Sequence, residues 1–82
     1  MTPVHFERRD DGTNMARFYV VQVAPTLFGA WAVVREWGRV GAPGTVRRDW
    51  FDTEGAALAR AAHLVAAKRR RGYRSPGAEW RS

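Results

Sequence analysis

The sequence predicts an α+β domain, an antiparallel sheet of about four strands with one α-helix packed on one face. Three observations lead there. Runs rich in β-branched and aromatic side chains recur between turn-forming clusters over the first two thirds of the chain. A single proline-free, alanine-rich stretch follows them, with a threonine before it and a glycine after it. Finally, 82 residues with 45% hydrophobic content and no cysteine provide one small core without a disulfide framework.

The elements can be justified in order. Val4 to Arg8 reads as a strand, and Asp10-Asp11-Gly12-Thr13-Asn14 reads as a turn, because these residues hydrogen-bond their own backbone or tolerate positive φ. Arg17 to Ala24 is a second strand ended by Pro25, which cannot donate to a sheet ladder. Ala30 to Trp37 is a third. Alternation puts Trp31, Val33, Arg35 and Trp37 on one of its faces and Ala32, Val34 and Glu36 on the other. Both faces are partly apolar, so the pattern leaves open which one meets the core. Gly38, Gly41, Pro43 and Gly44 then turn the chain into a fourth strand, Thr45 to Phe51.

Thr53 is a natural N-cap, and Glu54 complements the positive end of a helix dipole. The helix runs from Glu54 to about Arg71, with Gly72 placed for a left-handed C-cap. At 100° per residue, Ala57, Leu58, Ala61, Ala62, Leu64 and Val65 form its apolar face. Arg60, His63, Ala67, Arg70 and Arg71 lie opposite, with Lys68 and Arg69 at the margins. Small apolar side chains permit close approach to a sheet, leaving the other sheet face for a partner. Residues 1–73 are expected to form one domain and 74–82 a flexible tail, with Trp80 able to dock back.

Composition narrows the function. The net charge is +6 and, with Lys68 the only lysine, comes almost entirely from arginine. The guanidinium fork donates two hydrogen bonds at once and keeps its charge at any cellular pH, so an anionic partner is expected. The lack of cysteine excludes thiolate zinc sites, iron–sulfur clusters and cysteine nucleophiles. His5-x-Glu7 therefore cannot complete a zinc deaminase site. No nucleophile elbow, phosphate-binding loop or dinucleotide fingerprint is present. The carboxylate pairs Asp49/Asp52 and Glu36/Asp49 read as ordinary surface ion-pair partners. A non-enzymatic protein with no cofactor, no metal and no membrane association is expected. With no signal-like apolar run, its expected location is the cytoplasm.

Two basic clusters remain. Lys68-Arg69-Arg70-Arg71 with Arg74 is favoured by the helix dipole whatever the protein does, but Arg60, Arg70 and Arg71 share an exposed band. The second cluster interleaves Arg35, Trp37, Arg39, Arg47, Arg48 and Trp50 along two adjacent strands. Rings that stack on bases or sugars beside arginines that hold phosphate are what nucleic-acid binding requires. In a small domain, however, tryptophan is more often core than ligand platform. Gly38, after Trp37 at a strand end, would turn the backbone, expose the ring and let a ligand approach.

Trp37-Gly38-Arg39-Val40-Gly41, preceded by Arg35-Glu36 and followed by an alanine-rich helix ending Lys68-Arg69-Arg70-Arg71-Gly72-Tyr73, resembles the WGR domain over roughly Val4 to Tyr73. The likeness is to the small stand-alone form found in bacteria, since the 82 residues hold no zinc finger, regulatory or transferase domain. In DNA-dependent poly(ADP-ribose) polymerases this module contacts a DNA break near its 5′ end. The resemblance implies that Trp37 packs on a terminal sugar and that Arg39 bridges DNA and a partner domain. The candidate site is thus Trp37, Gly38 and Arg39 with Arg35, Arg47, Arg48, Arg70 and Arg71. The expected ligand is nucleic acid, DNA ahead of RNA. The alternative is a protein-interaction adaptor using the same face against an acidic partner, with anionic lipid ranked last.

Overall fold

The computed structural model describes residues 3–10 and 15–75. Strands β1 (Val4–Asp10), β2 (Met15–Pro25), β3 (Trp31–Arg39) and β4 (Thr45–Phe51) form one antiparallel sheet in the order β1-β2-β3-β4. Helix α1 (Glu54–Arg70) follows and packs over β2, β3 and β4. The expected α+β arrangement is thus present. The turn expected at 10–14 lies mostly outside the described residues, as do residues 76–82 with Trp80.

Register resolves the ambiguity of the third strand. Tyr19 pairs with Trp37, Val21 with Arg35 and Val23 with Val33, and Phe6 lies opposite Tyr19. Phe6, Tyr19, Val21, Val23 and Val33 are buried together with Ala57, Ala61 and Leu64 of α1. The Trp31/Val33/Arg35/Trp37 face is therefore the one beneath the helix. Each fully buried valine or phenylalanine contributes on the order of 1.5–3 kcal/mol.

The helix face is narrower than its periodicity predicts. Ala57, Ala61 and Leu64 are buried, whereas Ala62 is exposed and Leu58 is 37% exposed. The 57, 61, 64, 68 spacing points the stripe at Tyr19 and carries Lys68 to the sheet with it. The Thr53 hydroxyl accepts from Ala56 N–H at 3.1 Å, as an N-cap should. At the other end Gly72, with φ +90°, turns the chain back, and Tyr73 N–H donates to Lys68 C=O at 3.1 Å. Tyr73 is buried edge-on against Tyr19, with ring centroids 6.3 Å apart. Arg74, expected in the tail, exchanges backbone hydrogen bonds of 2.8 and 2.9 Å with Glu7 of β1.

Trp37-Gly38-Arg39 is also placed differently from expectation. β3 continues through Arg39, so Trp37 lies within the strand. Gly38 pairs with Phe18 and does not turn the chain, a task performed by Gly41 with φ +87°. A Cβ on Gly38 would stand 3.1 Å from Gly44 Cα and 3.3 Å from the Phe18 ring, and one on Gly44 would stand 2.7 Å from that ring. The two glycines thus make room for Phe18.

Candidate functional site

On the helix side the sheet can be followed in rows across the strands. Arg8, Arg17 and Arg39 occupy one row, and Phe6, Tyr19, Trp37 and Thr45 the next. Val4, Val21, Arg35 and Arg47 follow, then Val23, Val33 and Asp49. The basic and aromatic rows lie at the end of the sheet where the last turn of α1 brings down Lys68 and Arg71. The apolar rows lie under the body of the helix.

Two adjoining clefts open at this end. One, of about 310 Å³, is lined by Tyr19, Arg35, Trp37, Leu64, Ala67, Lys68 and Arg71. The other, of about 390 Å³, is lined by Arg8, Arg17, Phe18, Trp37, Gly38, Arg39, Lys68, Arg71 and Tyr73. Trp37, Lys68 and Arg71 border both. Among the described residues no carboxylate lines either cleft.

Arg35 is held by Asp49, Nη2 to Oδ2 at 3.4 Å, and its guanidinium stands 5.7 Å from the centre of the Trp37 ring. The other oxygen of Asp49 meets Arg47 Nε at 3.5 Å. Asp49 is thus an ion-pair partner, which fixes Arg35 along the ring. Lys68 Nζ lies 4.6 Å from the centre of the Tyr19 ring and 5.1 Å from that of Tyr73. Burial lowers the Lys68 pKa from its ordinary value, and the charges of Arg71 and Arg35 lower it further. Burial raises the Tyr19 pKa, with the positive charges of Arg35 and Arg60 acting in the opposite direction. The Tyr19 hydroxyl and Arg35 Nε are buried without hydrogen-bond partners.

Of the residues singled out in the sequence, Trp37, Gly38, Arg39, Arg35 and Arg71 come together at these clefts. Arg47 joins through Asp49 but lines neither cleft. Arg48 is on the opposite face of the sheet, because adjacent strand residues alternate sides. Arg70 is exposed and lines neither cleft, being turned about 100° from Arg71 on the helix. Arg8, Arg17 and Tyr19 carry no such signal in the sequence, while Lys68, part of the basic run at the helix end, and Tyr73, part of the motif, lie outside the candidate site expected from sequence yet line the clefts. The Arg8–Arg17–Arg39 row exists only once register is known. Lys68 was signalled by its spacing of four from Leu64, which puts it on the buried stripe. Among the described residues there is no cluster able to hold a metal ion, and no helix is long and apolar enough to cross a membrane.

A four-stranded sheet with one helix, whose last turn closes an arginine-lined cleft around a half-buried tryptophan, defines a small α+β domain with a built cationic site. Residues 2–79 match the WGR domain family, and the chain belongs to it. It is 39% identical over 71 residues to "Uncharacterized protein y4dW" of Sinorhizobium fredii, a match covering 87% of this chain and 35% of that protein. The chain thus spans about a third of this curated relative. No solved structure matches it.

Proposed function

We propose that this domain is a nucleic-acid-binding module that takes DNA at the Trp37 clefts. The observation that carries the reading is the company Trp37 keeps. Arg8, Arg17, Arg35, Arg39, Lys68 and Arg71 surround it across two clefts whose described lining has no carboxylate. Like charges directly opposite one another across strands oppose folding, and the Arg8–Arg17–Arg39 row contains two such pairings. Phosphate would relieve that repulsion. A WGR domain is a binding module rather than a catalytic one, in keeping with such a site.

Trp37 supplies the apolar surface for a sugar or base, and Arg39 sits at the mouth of the second cleft to hold phosphate. Recognition of a strand end fits a cleft that closes against α1 and Tyr73 on one side. The test is a titration with blunt 5′-phosphorylated duplex, closed dumbbell DNA and single strand, repeated with Trp37→Ala and Arg39→Ala. Affinity should fall with salt, with a negative slope of log K against log concentration. A flat slope, or undiminished binding by both variants, would reject the reading. Equal affinity for the blunt and dumbbell substrates would reject end recognition alone.

A further inference from the structure

The sheet has two edges, and they differ. The β1 edge is met by Arg74, which exchanges two backbone hydrogen bonds with Glu7. Among the described residues no strand lies outside β4. An open edge is a template for another strand, and proteins usually blunt it with proline, a bulge or charge. β4, Thr-Val-Arg-Arg-Asp-Trp-Phe, contains neither proline nor glycine and is rich in β-branched and aromatic residues. Val46 and Trp50 on its uncovered face are 47% and 57% exposed.

We infer that β4 is a self-association edge on which a second copy of this chain pairs antiparallel about a dyad at Arg48. The sequence of the strand argues for that occupant. Arg48 is its middle residue, so pairing β4 with itself sets Thr45 against Phe51, Val46 against Trp50 and Arg47 against Asp49. Each of these pairs occurs twice, and in each both members lie on the same face. The two exposed apolar residues cover one another, and Arg47, already 3.5 Å from Asp49 of its own strand, comes to lie opposite the Asp49 of the second copy as well, so that the edge charges alternate in sign across the seam. A chain of net charge +6 repels its own copies, so a surface that matches itself in sign and shape is where two copies can meet. The Arg48–Arg48 contact at the dyad opposes pairing, with Trp50 of the partner one diagonal step away to shield it.

The pairing extends the sheet to eight strands, with both α1 helices on one side. From standard strand spacings, the two Trp37 sites then open on the same face roughly 25 Å apart. Two such sites would engage one extended polyanion together, although the pairing itself does not depend on what Trp37 binds.

The cysteine-free chain allows a direct test. In the paired state Arg48→Cys brings two thiols onto directly opposite residues, whose Cα atoms lie about 4.5–5.5 Å apart, within disulfide range. Val46→Cys leaves its two thiols about 13 Å apart along the strands. Under mild diamide oxidation Arg48→Cys should cross-link at least tenfold faster than Val46→Cys. By sedimentation the unmodified protein should associate reversibly, Trp50→Lys should be monomeric with an unchanged circular dichroism spectrum, and Arg48→Thr should associate about two- to fivefold more tightly. Equal cross-linking rates for the two cysteine variants, or an unmodified protein that stays monomeric at several hundred micromolar, would overturn the inference.

Discussion

On the face beneath α1, Trp37 stands among Arg35, Lys68 and Arg71, while on the opposite face Trp50 and Arg48 lie across from Ala32 and Val34. Both faces draw on the same stretch of arginines and tryptophans, yet Trp37 borders two clefts whereas Trp50 is 57% exposed. The difference comes from the second layer. α1 approaches closely through Ala57 and Ala61, and its last turn delivers Lys68 and Arg71 over the sheet where the small residues end. A helix ending one turn earlier would take Lys68 and Arg71 away from the clefts that Trp37 borders. Arginine and tryptophan content is thus insufficient to make the site, which needs a wall facing the ring.

The largest expected contrast is in stability. Phe6→Ala, on the covered face, should cost about 3–5 kcal/mol by urea denaturation. Phe18→Ala, half-buried on the other face, should cost about 1–2 kcal/mol. Equal losses would mean that the second face is also covered in solution. Next comes affinity. Trp37→Ala should weaken DNA binding by about 1–3 kcal/mol, roughly 5- to 150-fold, by fluorescence anisotropy. Trp50→Ala, on a duplex short enough for one copy, should stay within about twofold. A Trp50 effect matching that of Trp37 would move the site to the uncovered face.

The fold was legible because its punctuation is local. Thr53, Gly72 and the turn glycines mark element ends, and alternation marks the strands. The site was only half legible. Trp37 and Arg39 stood out by residue type, but the role of Gly38 depends on Phe18, twenty residues earlier in the chain and directly across the sheet. Arg48 looks equivalent to Arg47 in sequence and differs by a half-turn of the strand. Arg8 and Arg17 carry no motif and acquire meaning only when β1 and β2 bring them into line with Arg39. Periodicity gives faces within an element, whereas sites are made between elements.

Arg8 and Arg9 sharpen the comparison at the scale of one residue. They are neighbours in β1, both exposed, and alternation sends them to opposite faces, with Arg8 lining the second cleft. If phosphate sits there, Arg8→Ala should reduce the magnitude of the salt slope by about 0.9, the value of one lost phosphate contact. Arg9→Ala should leave the slope unchanged. Equal changes would indicate a diffuse basic surface in place of a cleft.

The smallest effect expected is a pH dependence peculiar to Lys68. Its ammonium is disfavoured by burial and by Arg71 and Arg35, so it loses its proton below the ordinary lysine value of 10.5. As pH rises through that depressed value the clefts lose a cation they share, and DNA affinity should fall while the arginines stay charged. The Lys68 contribution to stability runs in the opposite direction. Between the depressed value and 10.5 the unfolded chain holds more protons than the folded one, so the Lys68 contribution to stability increases with pH. The raised Tyr19 pKa, in contrast, removes stability at alkaline pH, so folding is followed by circular dichroism across the same range. Lys68→Arg should flatten the alkaline limb of the binding curve, because the guanidinium keeps its charge. It should also bind somewhat more weakly at neutral pH, because a planar fork must fit where a compact ammonium now lies between Tyr19 and Tyr73. An alkaline limb unchanged by the substitution would remove Lys68 from the set of groups that meet the ligand.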